Sequence, residues 1–304
     1  MFKHKFKLQI QKGFTLVELL IAILIGLIVA AAALQLFVGG VISERMQEAG
    51  ADLQDSGVFG VEYIARDVRL ANFGNDNNPI LTPATLRGGI VLTSGESNAN
   101  LPLKDVGSEL LTKSGGASNV VGKGSDQLTI QFVAPNDMLN CEGAKVKAKE
   151  YVIQRYFLRA DGSAANLALA CDANKAGSES VSIAGLNDAN NGEIIMPRVD
   201  QLRFYLGCKI GNKFAYYTID EYTKAAAAAV SPNIPRIVSV RAMMLVRSKD
   251  SVSSQNIDPL KDSYEFLDET VKASETKAKY VRRIYATTIA VRNGLGDKVY
   301  ESTN

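Results

Sequence analysis

The stretch that decides the fold reads Lys12-Gly13-Phe14-Thr15-Leu16-Val17-Glu18-Leu19-Leu20. It opens an apolar run in which Gln35 is the only strongly polar side chain between Leu19 and Ile42. At about 1.5 Å of rise per residue, a helix over this run covers the roughly 30 Å hydrocarbon core of a bilayer. Glu18 therefore lies near the front of a predicted membrane-spanning helix. A carboxylate is unfavourable there, which makes it a candidate functional group.

The residues before the apolar run are basic. Residues 1–13 contain four lysines and no acid, which is typical of a flank that stays in the cytoplasm. In an ordinary secretory signal, the small-residue cleavage site follows the apolar segment. Here Gly13 precedes that segment and no such site leads out of the helix. We therefore expect the apolar helix to remain in the protein as an anchor.

This arrangement resembles the class III leader of type IV prepilins. In that family, a membrane-embedded prepilin peptidase cuts after the glycine and methylates the new N-terminal amine. The resemblance implies cleavage between Gly13 and Phe14, with N-methylation at Phe14. It also implies a role in assembly for Glu18, which would be the fifth residue of the mature chain.

Composition limits the chemistry that the chain can support. Removing the leader lowers the Lys and Arg count from 34 to 30 against 32 acids, a net charge near −2, and no basic patch predicts a nucleic-acid partner. The single histidine, His4, lies in the leader. The mature chain would then have no Ser-His-Asp or Cys-His nucleophile pair and no histidine-bearing zinc site. We expect no enzyme activity, no metal site and no cofactor.

The helix is predicted to continue beyond the membrane as an amphipathic helix. Charged residues fill most other positions, and Asn72-Phe73-Gly74 ends the pattern. Apolar or small residues recur at steps of three and four, at Met46, Ala49, Leu53, Gly57, Val61, Ile64 and Val68. We therefore expect one helix from Phe14 to about Leu70, roughly 85 Å long, whose second half packs on its own head domain.

The remainder of the chain is predicted to be β-rich, which gives an α+β fold. We divide the protein into a leader (1–13), the membrane half of the helix (14–42), its amphipathic half (43–72) and a globular head (73–304). Long loops are expected at Thr93–Asn119, Ala160–Gly192 and Ser248–Lys279, and 223–230 is expected to be a short helix or a linker. Alternating apolar residues predict strands near Leu128–Val133, Tyr151–Leu158, Gln201–Leu206, Phe214–Ile219, Ile237–Val246 and Val281–Val291.

One loop contains enough oxygen ligands to suggest calcium. Residues 188–193 read Asp-Ala-Asn-Asn-Gly-Glu, but these ligands do not follow the alternating spacing of an EF-hand loop. We interpret the loop as a solvated turn.

The three cysteines all lie in the predicted head. Spacings of 30 and 37 residues match no zinc or redox motif, and disulfides persist outside the cytoplasm. Cys141 and Cys171 lie at the edges of loop-rich segments, whereas Cys208 follows an apolar run and would pack as a small hydrophobic side chain. We therefore expect a Cys141–Cys171 disulfide and a reduced, buried Cys208, with Cys141–Cys208 as the alternative pairing.

Segments dispersed over the chain resemble PilW-type minor pilins. They are 54–72, 140–143, 169–171, 199–205, 238–248 and 282–293. The resemblance implies a minor pilin that primes or caps type IV pilus assembly, with a single-pass inner-membrane anchor and a periplasmic head. Its partners would be the prepilin peptidase and, through the N-terminal helix in the pilus, other minor pilins and the major pilin. Cys208 departs from the family pattern, because a Gly/Asp-rich turn is expected there.

Within the pilus, the resemblance gives Glu18 a cationic partner, the methylated N-terminal amine of a neighbouring subunit. Two other functions stay open. A type II secretion pseudopilin would share the N-terminal motif, and the long loops are compatible with a membrane-tethered adhesin or other binding module.

Overall fold

The computed structural model describes residues 13–175, 177, 180–186, 192–230, 233–253 and 257–292. The chain forms two compact units, Met1–Gln47 and Glu48–Asn304. Helix α1, Leu16–Val68, begins in the first unit and ends in the second. The predicted leader up to Lys12 and residues 188–191 of the acidic loop lie outside the described residues.

The second unit is rich in short and medium-length strands. A 3₁₀ turn at Ser108–Leu110 precedes them, and helix α2, Ile219–Ala228, interrupts them. The strands are β1 (Lys113–Gly116), β2 (Ser125–Val133), β3 (Met138–Leu139), β4 (Lys145–Val146), β5 (Tyr151–Asp161), β6 (Ser163–Ala173), β7 (Glu193–Pro197), β8 (Val199–Ile210), β9 (Lys213–Thr218), β10 (Arg236–Ser251), β11 (Tyr264–Glu265), β12 (Thr270–Val271) and β13 (Tyr280–Ala290).

Two antiparallel sheets make up most of the head. The larger has five strands in the order β1-β2-β5-β6-β7, and the second has four in the order β13-β10-β8-β9. Two small hairpins, β3–β4 and β11–β12, are attached to them. In the four-stranded sheet, β10 pairs with β8 (Ala242 opposite Phe204) and with β13 (Ala242 opposite Thr287).

The fold confirms the α+β prediction, and the six predicted strands correspond to β2, β5, β8, β9, β10 and β13. The assignment of 160–192 to a loop is wrong, because Ser163–Ala173 is strand β6 and pairs with β5 and β7. Its sequence is rich in alanine, which has a low β propensity, so pairing on both sides and burial supply its stability. The predicted loops at 93–119 and 248–279 likewise contain β1, β11 and β12.

Helix α2 begins where a strand was predicted to end. Ile219 is its first residue, and Thr218 forms the N-cap with a complete capping box to Glu221. The reciprocal bonds satisfy amide groups that would otherwise lack a partner at the start of the helix. The segment 223–230 is therefore largely helical.

The second half of α1 packs on the head, as its apolar stripe predicts. Leu53, Ile64 and Val68 are fully buried in one hydrophobic cluster with residues of both sheets. The helix approaches the sheets closely at two glycines. A Cβ on Gly57 would overlap the ring of Tyr285 on β13, and one on Gly60 would contact the side chains of Met196 on β7 and Met244 on β10. Helix α1 ends at Val68, two residues before the predicted end.

Candidate processing and assembly site

The predicted cleavage site lies just ahead of helix α1. Gly13, Phe14 and Thr15 precede the first helical residue, Leu16. The Phe14 side chain is 91% exposed, and a Cβ on Gly13 would meet no atom within 4 Å. The bond between Gly13 and Phe14 therefore lies on exposed, non-helical chain. The processing role of both residues stays a prediction.

Glu18 takes part in a capping box that the sequence analysis missed. The Glu18 Oε2 accepts hydrogen bonds from the Thr15 amide at 2.9 Å and from the Thr15 hydroxyl at 3.0 Å. In return, the Glu18 amide donates to Thr15 Oγ1 at 3.2 Å. The carbonyl of Thr15 accepts the first helical hydrogen bond, from the Leu19 amide. Thr15 is thus the N-cap residue of α1, and Thr-x-x-Glu is the sequence signature that would have identified it.

The first half of α1 presents apolar side chains on all sides. The helix is long and apolar enough to cross a membrane, and its most apolar 18-residue window has none of its residues buried. Every leucine, isoleucine and valine from Leu16 to Leu36 is at least half exposed. Such a surface is compatible with lipid tails or with other apolar helices.

A buried polar group attaches the second half of α1 to the head. Asp67 is fully buried, accepts a hydrogen bond from the Arg66 Nε at 2.8 Å and accepts a second from the Tyr156 hydroxyl on β5. Burial, together with the Asp67 charge, raises the pKa of Tyr156 well above its usual value, so the hydroxyl remains a donor. A buried carboxylate is tolerated when its lone pairs are occupied in this way.

Two further contacts join α1 to the head. The Tyr63 hydroxyl donates to the carbonyl oxygen of Cys141 at 2.9 Å. The Arg198 Nη2 contacts an oxygen of Asp52 at 2.9 Å. Because their partners come from separate segments of the head, these contacts restrict rotation of the helix about its own axis.

The cysteine prediction is confirmed. Cys141, between the two strands of the β3–β4 hairpin, forms a disulfide with Cys171 on β6, and Cys208 is a buried free thiol. The alternative Cys141–Cys208 pairing is wrong. Burial raises the pKa of the Cys208 thiol, which keeps it protonated and unreactive at neutral pH. The disulfide closes a loop of about 30 residues that contains β4, β5 and most of β6.

Charged side chains also lie between the two sheets. Asp126 on β2 accepts hydrogen bonds from the Arg203 guanidinium and from the Phe204 amide, both on β8 and both at 2.8 Å. Burial raises the pKa of Asp126 to about 7, because the loss of solvation outweighs the attraction of Arg203. Arg203 also contacts Asp268 at 2.7 Å. These groups connect the five-stranded and four-stranded sheets.

A third buried carboxylate, Asp200, lies between two arginines. Its oxygens contact the Arg282 Nε at 2.7 Å and the Arg247 Nε at 3.2 Å. Both guanidinium groups also lie near the ring of Tyr280. Each oxygen of Asp200 is thus paired with an arginine, which is consistent with a structural role. Within the part of the chain that the structure describes, no group of three or more His, Cys, Asp or Glu side chains is placed to hold a metal ion.

Two sequence families match the chain. Residues 155–293 match the family described as Type IV Pilus-assembly protein W, or PilW. Residues 8–34 match the prokaryotic N-terminal methylation motif. None of the curated proteins compared with the chain matches it.

Among solved structures, a type IV-like pilin from Thermus thermophilus is similar to the chain. It shares 13% sequence identity and has a TM-score of 0.40, and the similarity covers 79% of this chain and 96% of that one. A TM-score this low does not support a family assignment. The assignment therefore rests on the two sequence-family matches. The PilW match falls on the head, and the methylation motif includes Gly13, Phe14 and Glu18 at the start of a long apolar helix. Together, the PilW match over 155–293 and the methylation motif over 8–34 support the assignment to the PilW-type type IV pilins.

Proposed function

We propose that the protein is a minor pilin that primes or caps type IV pilus assembly. The observation that carries the proposal is the exposed apolar half of α1, which begins at Leu16, shortly after Gly13 and Phe14, and includes Glu18 in its first turn. Such a helix can be inserted in a membrane before assembly, and it can pack against other apolar helices in the interior of a filament. The function is structural and requires no cofactor.

Processing would occur between Gly13 and Phe14. The prepilin peptidase has to reach this bond, and its exposed position ahead of the helix supports that access. N-methylation of the new Phe14 amine would then complete the mature N-terminus. The methylation motif at 8–34 supports this maturation step.

Glu18 would guide incorporation through its charge. In the interior of a filament, water is excluded, and an unpaired carboxylate there is strongly unfavourable. The methylated amine of a neighbouring pilin, either a minor pilin or the major pilin, would neutralise it. The pair would therefore specify the register between helices more than it would add stability.

The protein would reside in the inner membrane as a single-pass protein, with its head in the periplasm. The apolar helix and the methylation motif indicate membrane anchoring. The Cys141–Cys171 disulfide supports an oxidising compartment for the head, because cytoplasmic thiols are kept reduced. After assembly, the protein would be part of the pilus.

Deletion of the gene and complementation with a tagged protein test the proposal. We expect deletion to reduce surface piliation and twitching motility, and we expect the tagged mature protein in sheared, purified pili. Loss of protein secretion with normal pili would instead indicate a type II secretion pseudopilin. Normal piliation with lost surface attachment would indicate an adhesin. Either result would overturn the proposed role in assembly.

A further inference from the structure

Two surfaces of the second compact unit, one on α1 and one on the four-stranded sheet, are complementary in charge, and both contain aromatic side chains. The helix surface comprises Asp55, Val58, Phe59 and Glu62 on α1. The sheet surface comprises Lys209, Phe214, Tyr216 and Arg241 on the four-stranded sheet. We propose that the helix surface of one copy of this protein binds the sheet surface of a second copy.

The helix surface is apolar at its centre and acidic at its ends. Phe59 is 56% exposed and Val58 is 48% exposed, which is unusual for neighbouring large apolar residues on a helix outside the membrane segment. Asp55 and Glu62 are exposed and form no ion pair within the described residues. The nearby cation, Arg66, is already bound to Asp67 and lies over the ring of Tyr63. The surface therefore has an excess of negative charge.

The sheet surface has the opposite charge. Phe214 and Tyr216, on the edge strand β9, are 52% and 37% exposed and meet edge to face with centroids 5.3 Å apart. Lys209 is directly opposite Phe214 in the sheet. Arg241 forms no hydrogen bond or ion pair among the described residues, and its Nε is shielded from solvent without an acceptor. The positive charge of Arg241 is therefore not neutralised within the sheet and is available to an acidic partner.

The four side chains of the sheet surface share one face of the sheet. Both aromatic rings lie over Gly207, which is paired with Ser239 on β10. Arg241 is two residues along β10 from Ser239, so the two side chains point to the same face. The regular pairing of β10 with β8 from 239 to 245 keeps this alternation intact.

Helix α1 packs on the other face of the same sheet. Gly60 of the helix is in contact with Met244, which is three residues from Arg241 along β10 and therefore points to the opposite face. On α1, the positions 55, 58, 59 and 62 are turned away from the buried positions 53, 57, 60 and 64. The helix surface and the sheet surface therefore face in opposite directions, which allows heads to stack front to back.

This contact is heterologous, since different patches meet, and such contacts can extend into open stacks. Aromatic and arginine side chains supply much of the energy of protein interfaces. The acids and bases at their edges would select the partner and the orientation. The contact concerns two copies in the membrane before any pilus forms. Its failure is therefore distinguishable from a failure of the proposed role in assembly.

Photo-crosslinking of the full chain in cells tests the proposal. Val58 is replaced by p-benzoylphenylalanine in one tagged copy, a second copy carries a different tag, and both are expressed in the membrane. We expect a crosslinked dimer with both tags, and peptide mapping should place the link in 209–216 or 236–244. The absence of a dimer, or a link elsewhere in the head, would overturn the proposal.

Charge reversal separates a specific contact from proximity in the membrane. Asp55→Lys with Glu62→Lys in both copies should lower the dimer yield at least about tenfold, because like charges would then meet. Asp161→Lys is the control. It also replaces an acid with a base, but at an exposed position on the five-stranded sheet, and it should leave the dimer yield unchanged. An unchanged yield in the double variant would contradict the inference.

Exchanging the charges of the two surfaces should restore the dimer, which tests the proposed pairing directly. A copy with Asp55→Lys and Glu62→Lys, co-expressed with a copy carrying Lys209→Glu and Arg241→Glu, should regain most of the yield. Because Arg241 is partly buried, Lys209→Glu alone serves as a second partner variant that keeps the fold and should restore part of the yield. Failure of both partners to restore any yield would exclude the proposed pairing of surfaces.

Discussion

The Glu18 carboxylate accepts hydrogen bonds from both the backbone amide and the hydroxyl of Thr15, at 2.9 and 3.0 Å. The side chain that would pair with a neighbouring subunit therefore also caps its own helix. A change to alanine removes both interactions together, so it cannot separate the role in assembly from the local role. Glutamine can separate them, since Glu and Gln both serve in a capping box.

Glu18→Gln should therefore keep the start of α1 intact but reduce incorporation into pili, because it removes the charge. Thr15→Ala should weaken the cap but incorporate far better than Glu18→Gln, because the charge remains. The ratio of the protein in sheared pili to that in membranes, measured by immunoblotting, compares the two variants. Equal incorporation of Glu18→Gln and the wild-type protein would mean that capping, not charge pairing, is the function of Glu18.

Gly13→Val should block processing and leave the full-length protein in the membrane. The inference rests on the family resemblance, in which only a minimal side chain fits beside the catalytic groups of the peptidase. Intact mass spectrometry of the membrane fraction distinguishes a chain that starts at Met1 from a methylated chain that starts at Phe14. Gly26→Val, inside the helix where a Cβ has open space, serves as the control and should be processed normally.

The sequence predicted the elements whose pattern is local. The apolar run before Ile42 and the stripe through Leu53, Ile64 and Val68 predicted α1, and alternation predicted β10 and β13. Strand β6 was missed because its alanines show neither alternation nor a preference for strands. Pairing on both sides stabilises it as a strand: β5 directly precedes it across Gly162, whereas β7 is separated from it by residues 174–192.

The sequence also did not predict the contacts that attach α1 to the head. Asp67 is one of the charged residues outside the apolar stripe of α1, yet it is fully buried against Tyr156, which is 89 residues away in the chain. Nothing in its neighbours signals that partner. In contrast, the Thr15–Glu18 capping box has a local signature, and the sequence was sufficient to predict it.

Loss of the disulfide should destabilise the head. Cys141→Ser with Cys171→Ser opens a loop of about 30 residues, which corresponds to roughly 3–4 kcal/mol in the chain-entropy description. Thermal unfolding of the purified full chain in detergent, followed by circular dichroism, should show a lower midpoint. Reducing agent should have the same effect on the wild-type protein and on Cys208→Ala. A linked peptide that contains Cys208 would contradict the assignment.

Gly57→Ala should lower the free energy of unfolding even though alanine favours helices. A Cβ at this position would overlap the ring of Tyr285, and such overpacking typically costs about 1–3 kcal/mol. Gly50→Ala is the matched control, since a Cβ there meets no atom within 4 Å. This control should be neutral or stabilising by about 0.5–1 kcal/mol. Equal midpoints of thermal unfolding for the two variants would mean that Tyr285 moves aside without loss.

Asp126 should make the stability of the head depend on pH. Its pKa in the folded protein is raised to about 7 by burial, above the ordinary value of 3.8. The folded state therefore binds this proton more tightly than the unfolded state does. The stability that Asp126 contributes is complete below about pH 4 and is lost as the pH rises to about 7, where the carboxylate ionises in both states.

The comparison with Asp126→Asn isolates this effect from the other carboxylates, which titrate in both proteins. Asparagine cannot ionise, so the unfolding midpoint of the variant should rise relative to that of the wild-type protein as the pH increases from 4 to 7. Above about pH 7.5 the difference should become constant. Asp161→Asn, at an exposed position, should show no such trend. A difference between Asp126→Asn and the wild-type protein that is constant from pH 4 to 7 would mean that Arg203 and the Phe204 amide hold Asp126 ionised throughout this range.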